Sequence, residues 1–150
     1  MARADSFTFI FRFNLDADVG RHCPNKVDDV ELVRYGYFCL KNNTRNPSNL
    51  TPRISSALQA MKIQGPFGPD LQEVIDAHEE TRGGTIDGKV SISKAHLTTK
   101  ERYDGVHRWI IDVLCNNMID RNPNQYPRID LDSVLGPEIK KRVRQIFALD

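Results

Sequence analysis

From Ser6 to Leu15 the chain alternates, with Phe7, Phe9, Phe11, Phe13 and Leu15 on one side and Thr8, Ile10, Arg12 and Asn14 on the other. A period of two carried by β-formers predicts a strand with one strongly apolar face. After a polar connection holding Gly20 and Pro24 the period lengthens. Val30, Val33, Tyr37 and Leu40 recur at helical spacing, with Asp28 or Asp29 placed to cap the helix and favour its dipole. Gly36 weakens that helix by about 1 kcal/mol relative to Ala, a modest cost where a neighbour packs close. Thr51-Pro52 reads as an N-cap followed by proline at the first helical position, with Ile54, Leu58 and Met61 on one face.

Gly65-Pro-Phe-Gly-Pro69 breaks the chain, and Pro69 starts a helix whose stripe is Leu71, Val74, Ile75 and His78, ending near Gly83-Gly84. Ile86 to Ser93 is a short extended piece around Asp87-Gly88, suited to pairing with the N-terminal strand. Thr98-x-x-Glu101 is a capping-box pattern for a long helix through Ile119, striped by Val106, Trp109, Ile110, Val113 and Leu114. Gly136-Pro137 opens a last helix, with Ile139, Val143, Ile146 and Phe147 inside and Lys140, Lys141, Arg142 and Arg144 outside. The fold class is therefore mainly α: a small helical bundle with an N-terminal strand, an extended segment near 86–93 and two C-terminal helices.

At 150 residues the chain is long enough for one domain with a real core. A two-helix unit at 97–150 buries too little to stand alone, which argues for a single domain over 1–150. Charge narrows the partners: 21 basic against 20 acidic residues create no global field toward nucleic acid or an anionic membrane. No apolar run approaches the roughly 18 residues of a spanning helix. Cys23, Cys39 and Cys115 are odd in number and irregularly spaced, which reads as free thiols of a reducing compartment. With no export signal visible at the N-terminus, the expected location is cytoplasmic, or the envelope by a signal-independent route.

Ile63-Gln-Gly-Pro-Phe-Gly-Pro69 and Thr85-Ile-Asp-Gly-Lys-Val90 bracket one short helix, and Asp28-Asp-Val-Glu-Leu-Val33 opens another upstream. This order resembles the peptidoglycan-binding-domain-like repeat, a small helical module of bacterial cell-wall proteins. The resemblance covers about Val19 to Lys94. Pro24-Asn25 with Asp28-Asp29-Val30 and Leu32-Val33 match the entry into the first helix. Gly65, Phe67, Gly68 and Pro69 match the central turn, Val74 and Ala77 the buried side of the second helix, and Asp87-Gly88-Lys89-Val90 the closing turn. Departures are Gln64 for the usual Asp, Leu71 for Thr, and His78-Glu79 for Phe-Gln. The resemblance implies a binding module, with Arg34, Tyr37, Asp87 and Lys89 as ligand-binding candidates near the matching turns. Its ligand is then a peptidoglycan fragment, or a protein partner where the fold is reused as an adaptor, inhibitor or assembly part.

Elementary chemistry assigns the turn residues structural work. Phe67 is a natural anchor between helices, and Gly65 and Gly68 suit a turn needing positive φ or close approach. Asp87 can accept from the backbone two residues on while Gly88 takes the left-handed position. No spacing of His and Cys provides four zinc ligands, and no metal or cofactor is expected. Cys39 and Cys115 lie on apolar helical faces as inert thiols, whereas Cys23 beside His22 is the more reactive candidate. Glu73, Asp76, Glu79 and Glu80 read as a solvated acidic face, and His78 as a core histidine. No catalytic constellation is visible, so the chain is not expected to be an enzyme.

Overall fold

A computed structural model of the chain describes residues 11–45, 47, 50–83, 86–93 and 109–148. Among these, five α-helices and one two-stranded sheet follow the order β1 (Val19–Gly20), α1 (Val27–Lys41), α2 (Pro52–Ala60), α3 (Pro69–Arg82), β2 (Lys89–Val90), α4 (Ile110–Arg121) and α5 (Pro137–Ile146). A 3₁₀ turn at Ile129–Leu131 precedes α5. The mainly α expectation holds.

Helix α1 is the centre. Most of its residues from Asp29 to Leu40 are buried, because α2, α4 and α5 all pack on it. Gly36 makes the closest crossing: a Cβ there would stand 2.6 Å from the Leu114 Cβ of α4. The helix-weakening glycine is thus exchanged for close packing. The N-terminus of α5 is fastened to the same helix by Glu31, which accepts from the backbone N–H of Glu138 at 3.1 Å and of Ile139 at 3.2 Å. An acceptor at a helix start satisfies orphan amides and complements the dipole.

Local signals set the boundaries of α2 and α3. Thr51 Oγ1 accepts from Ile54 N at 3.4 Å with Pro52 at the first position, and α3 starts at Pro69 and ends on Gly83 in the left-handed region. Sheet pairing is antiparallel, with Val19 opposite Val90 and Gly20 opposite Lys89. Side chains extend this short ladder. Asp18 Oδ1 accepts from Ile92 N at 3.0 Å, and the Asn14 amide exchanges two 2.9 Å bonds with the Ser93 backbone.

Three expectations are corrected. The N-terminal strand is Val19–Gly20 and not Ser6–Leu15: residues 11–15 form no ladder, and 6–10 lie outside the described residues. From residue 12 the alternation still sorts inside from outside, because Phe13 and Leu15 are buried and Arg12 and Asn14 are not, but Phe11, expected on the apolar face, is 36% exposed. Second, Trp109 is extended, with φ −75 and ψ 143, so α4 begins at Ile110; the capping box at Thr98 and Val106 lie outside the described residues. Third, Ile146 is 45% exposed, and Arg142 and Arg144 leave the expected solvated basic face. Arg142 reaches Asp16 at 2.6 Å and Asp28 at 2.8 Å, and Arg144 reaches Asp130 at 3.5 Å.

Candidate functional site

Two turns lie near opposite ends of α3, and each is held by a charged side chain that the core encloses. The first spans Lys62 to Asp70. Arg34, on α1 one position beyond Val33 in its buried stripe, is 2% exposed. Its Nε donates to Gly65 O (3.1 Å), Nη1 to Lys62 O (2.8 Å) and Asp70 Oδ2 (2.9 Å), and Nη2 to Pro66 O (2.6 Å) and Asp70 Oδ1 (3.0 Å). A guanidinium has five N–H donors, and all five are used. The pair holds the Asp70 carboxyl well below the usual carboxylate range, Arg34 being the main cause. Gly65 takes φ +136 in this turn, while Gly68 is extended at φ −158 and needs no positive-φ freedom. Phe67 is half-buried against the core.

Tyr37, one turn further along α1, is fully buried and its hydroxyl meets His78 Nδ1 at 2.9 Å, the two rings packed edge to face at 5.3 Å. Burial pushes the His78 imidazole down to about 4 and the Tyr37 hydroxyl far up. His78 is the core histidine expected. Arg34 and Tyr37, however, are internal ties and not surface contacts. Their positions on the α1 stripe, at four and seven residues from Val30, carried that signal.

The second turn leads into β2. Asp87 Oδ1 accepts from Lys89 N at 3.3 Å and Gly88 sits at φ +72, as the turn chemistry predicts. Its fastener is Glu79, 4% exposed, whose Oε2 accepts from Asp87 N at 3.2 Å and Oε1 from Gly88 N at 2.7 Å. Glu79 therefore leaves the solvated acidic face on which it was expected. Its spacing from Ile75 and Leu71, four and eight residues, placed it on the apolar stripe. Gln72 adds a bond from Nε2 to Gly88 O at 2.9 Å and another to Asp76 Oδ1 at 2.9 Å.

Around this turn the ribbon meets solvent. Asp87 is exposed, Lys89 Nζ pairs with Asp18 Oδ2 at 3.2 Å, and Arg21 Nη2 pairs with Asp76 Oδ2 at 3.0 Å. Ile86 is 65% exposed and Ile92 37%. Of the four ligand-binding candidates, the structure brings Asp87 and Lys89 together at the surface; Asp18, Ile86 and Ile92 join them without having been singled out.

Elsewhere, Asp16, Asp28 and Asp29 converge with carboxylate oxygens within 4.8 Å of one another, and the Arg142 guanidinium lies among them. The cysteines offer little reactivity. Burial pushes the Cys39 and Cys115 thiols up to about 12, and raises the half-buried Cys23 thiol as well, with Asp18 adding to the effect. No helix among the described residues is long and apolar enough to cross a membrane. No protein-family profile, characterised protein or solved structure matches this chain.

Proposed function

We propose that the chain is a non-catalytic binding module whose contact surface is the ribbon Ile86–Ile92 together with Asp18, and that its ligand is a protein partner. The observation that carries this reading is where the unspent chemistry lies. Arg34 and Tyr37 have their polar groups engaged internally, and α4 and α5 pack on α1. The ribbon instead offers two exposed isoleucines beside the Asp18–Lys89 pair and the Asp87 carboxyl. Apolar side chains rimmed by charges suit protein recognition, the apolar part supplying affinity and the charges register.

Resemblance to the peptidoglycan-binding repeat supports a second reading, a wall fragment bound at the same ribbon. Asp87 and Lys89 would then meet the amine and carboxylate groups of a stem peptide. Charge reversal of both residues together (Asp87→Lys with Lys89→Glu) and Ile86→Glu separate the two. A stoichiometric protein that co-purifies from native extract and is lost with Ile86→Glu, fold intact, supports the first. Sedimentation with purified peptidoglycan that survives Ile86→Glu but not the reversal supports the second. Binding of either kind that ignores all these substitutions overturns the ribbon as the surface.

A further inference from the structure

The two strands of the ribbon treat their outer edges differently. In the register Val19 opposite Val90 and Gly20 opposite Lys89, Arg21 N donates to Gly88 O at 3.1 Å. Bonded and non-bonded pairs alternate along an antiparallel ladder, so Gly20 and Lys89 form a non-bonded pair and turn their backbone groups outward. On the β1 side that edge is closed. Asn25 Oδ1 accepts from Gly20 N at 2.8 Å and Asn25 Nδ2 donates to Gly20 O at 3.0 Å, from a residue held at φ +50. On the β2 side the Lys89 N–H turns back to Asp87 Oδ1 at 3.3 Å. Among the described residues nothing bonds the Lys89 carbonyl or the Ser91 N–H and carbonyl. Lys89 and Ser91 are half-buried, on either side of the fully buried Val90. An unpaired strand edge is a template for another strand, and proteins commonly cover it; here one edge is covered and the other is open.

We propose that the outer edge of β2 receives an extended, basic segment of the partner protein as a third strand. This rests on the ribbon being the contact surface and specifies how it binds. A strand laid along Lys89 and Ser91 donates a backbone N–H to Lys89 O and accepts from Ser91 N, the main chain giving affinity and alternate side chains giving specificity. Charge selects a basic segment. Arg21 is paired with Asp76 and Lys89 with Asp18, whereas the exposed Asp87 has no cationic partner among the described residues. A Lys or Arg of the added strand supplies one. The exposed Ile86 and Ile92, which flank the edge in sequence, meet its apolar side chains.

Amide exchange and NMR titration of the full-length chain test this, with acetyl-Lys-Val-Lys-Val-Lys-Val-amide as the probe. In the free chain the Ser91 amide should exchange rapidly and the Val90 amide, paired with Val19, slowly. The basic peptide should slow Ser91 exchange by about tenfold or more, the equivalent of one net hydrogen bond. The same peptide with Glu in place of Lys should protect Ser91 less at equal concentration. Methylating alternate backbone nitrogens of the basic peptide, its charge unchanged, should abolish the protection. Asp87→Asn should weaken the peptide about two- to fivefold, as loss of an exposed ion pair does. Ser91→Pro removes the edge donor and should lose the peptide, while Ser91→Ala keeps the donor and should retain it; should Ser91→Pro misfold, the methylated peptide still decides. Four results each overturn strand addition: a Ser91 amide already protected in the dilute free chain, protection that grows with protein concentration alone because a second copy fills the edge, no protection by millimolar basic peptide, or equal binding of the methylated one. Partner binding that survives Ser91→Pro but is lost with Ile86→Glu leaves the ribbon as the contact surface without an added strand.

Discussion

The turns before and after α3 solve one problem in opposite ways. Each bends the chain sharply through a glycine at positive φ, and each is fixed by one buried side chain: Arg34 at 62–70, Glu79 at 86–90. Arg34 brings a cation that stays charged, binds carbonyls, and has a carboxylate to neutralise it. Glu79 brings an acceptor for two backbone amides, one on each of its oxygens. The first turn is fixed by a full ion pair, the second by a buried carboxyl that binds backbone amides. Only the second turn carries exposed candidate side chains.

The largest effect expected from breaking this comparison is at the cation. Arg34→Met would leave three carbonyls without their donor and Asp70 with only the Lys62 N–H, a loss of roughly 3–5 kcal/mol of the kind seen when one partner of a buried pair is removed. Arg34→Lys should recover only part, because an ammonium cannot reproduce the planar fork. Urea denaturation measures both; a loss below about 1 kcal/mol for Arg34→Met would show that the turn stands without its clamp.

Next comes Glu79→Ala, which strips two amides of their acceptor at a cost of about 1–3 kcal/mol; Glu79→Gln should keep one of the two bonds, since its single oxygen accepts and its NH2 does not. The pH dependence is sharper than the magnitude. Glu79, raised from 4.5 to about 7, contributes stability that is fully present below pH 4.5 and lost as pH rises through 7. His78, lowered from 6.5 to about 4, contributes stability that is present above pH 6.5 and lost as pH falls through 4. Adjacent in sequence, the two oppose each other between pH 4.5 and 6.5. The wild-type stability contributed by this pair should be nearly flat there, while Glu79→Gln should show stability rising with pH. An equal slope in both proteins would refute the assignment. Asp70, held low by Arg34, adds a loss only as pH falls below the ordinary carboxylate range.

The smallest effect separates the two glycines. Gly88, at φ +72, is in the left-handed region that Asn tolerates; an added Cβ would stand 2.5 Å from Arg21 Nη1, the end of a half-exposed side chain that can swing aside, so Gly88→Asn should cost about 1 kcal/mol. Gly65, at φ +136, lies beyond that region, and Gly65→Asn should cost about 1–3 kcal/mol although nothing stands within 4 Å of the added Cβ. Paired thermal melts decide it; equal losses would mean that the backbone conformations do not differ as the structure has them.

Much of this was legible in the sequence because it is local. Thr51-Pro52, Pro69 to Gly83, Gly136-Pro137 and Asp87-Gly88 mark ends and turns through bonds made within a few residues, and each falls where the pattern places it. The stripe of α1 named its buried face, and Gly36 announced a close crossing. The alternation at 11–15 sorted Phe13 and Leu15 inward but could not reveal that no backbone ladder forms there, since a strand exists only with a partner.

Tertiary structure alone decided what the charged residues do. Arg34 and Glu79 look like solvated side chains in a list of residues, because burying a charge is unfavourable until its bonding partners arrive from elsewhere in the chain. Arg34 finds them 28 to 36 residues away and Glu79 finds its own 8 and 9 residues on. Composition and periodicity determined the helical class and the core. Stripe positions hinted that Arg34 and Glu79 are enclosed, but which atoms satisfy them followed from hydrogen-bond partners that only the fold brings near.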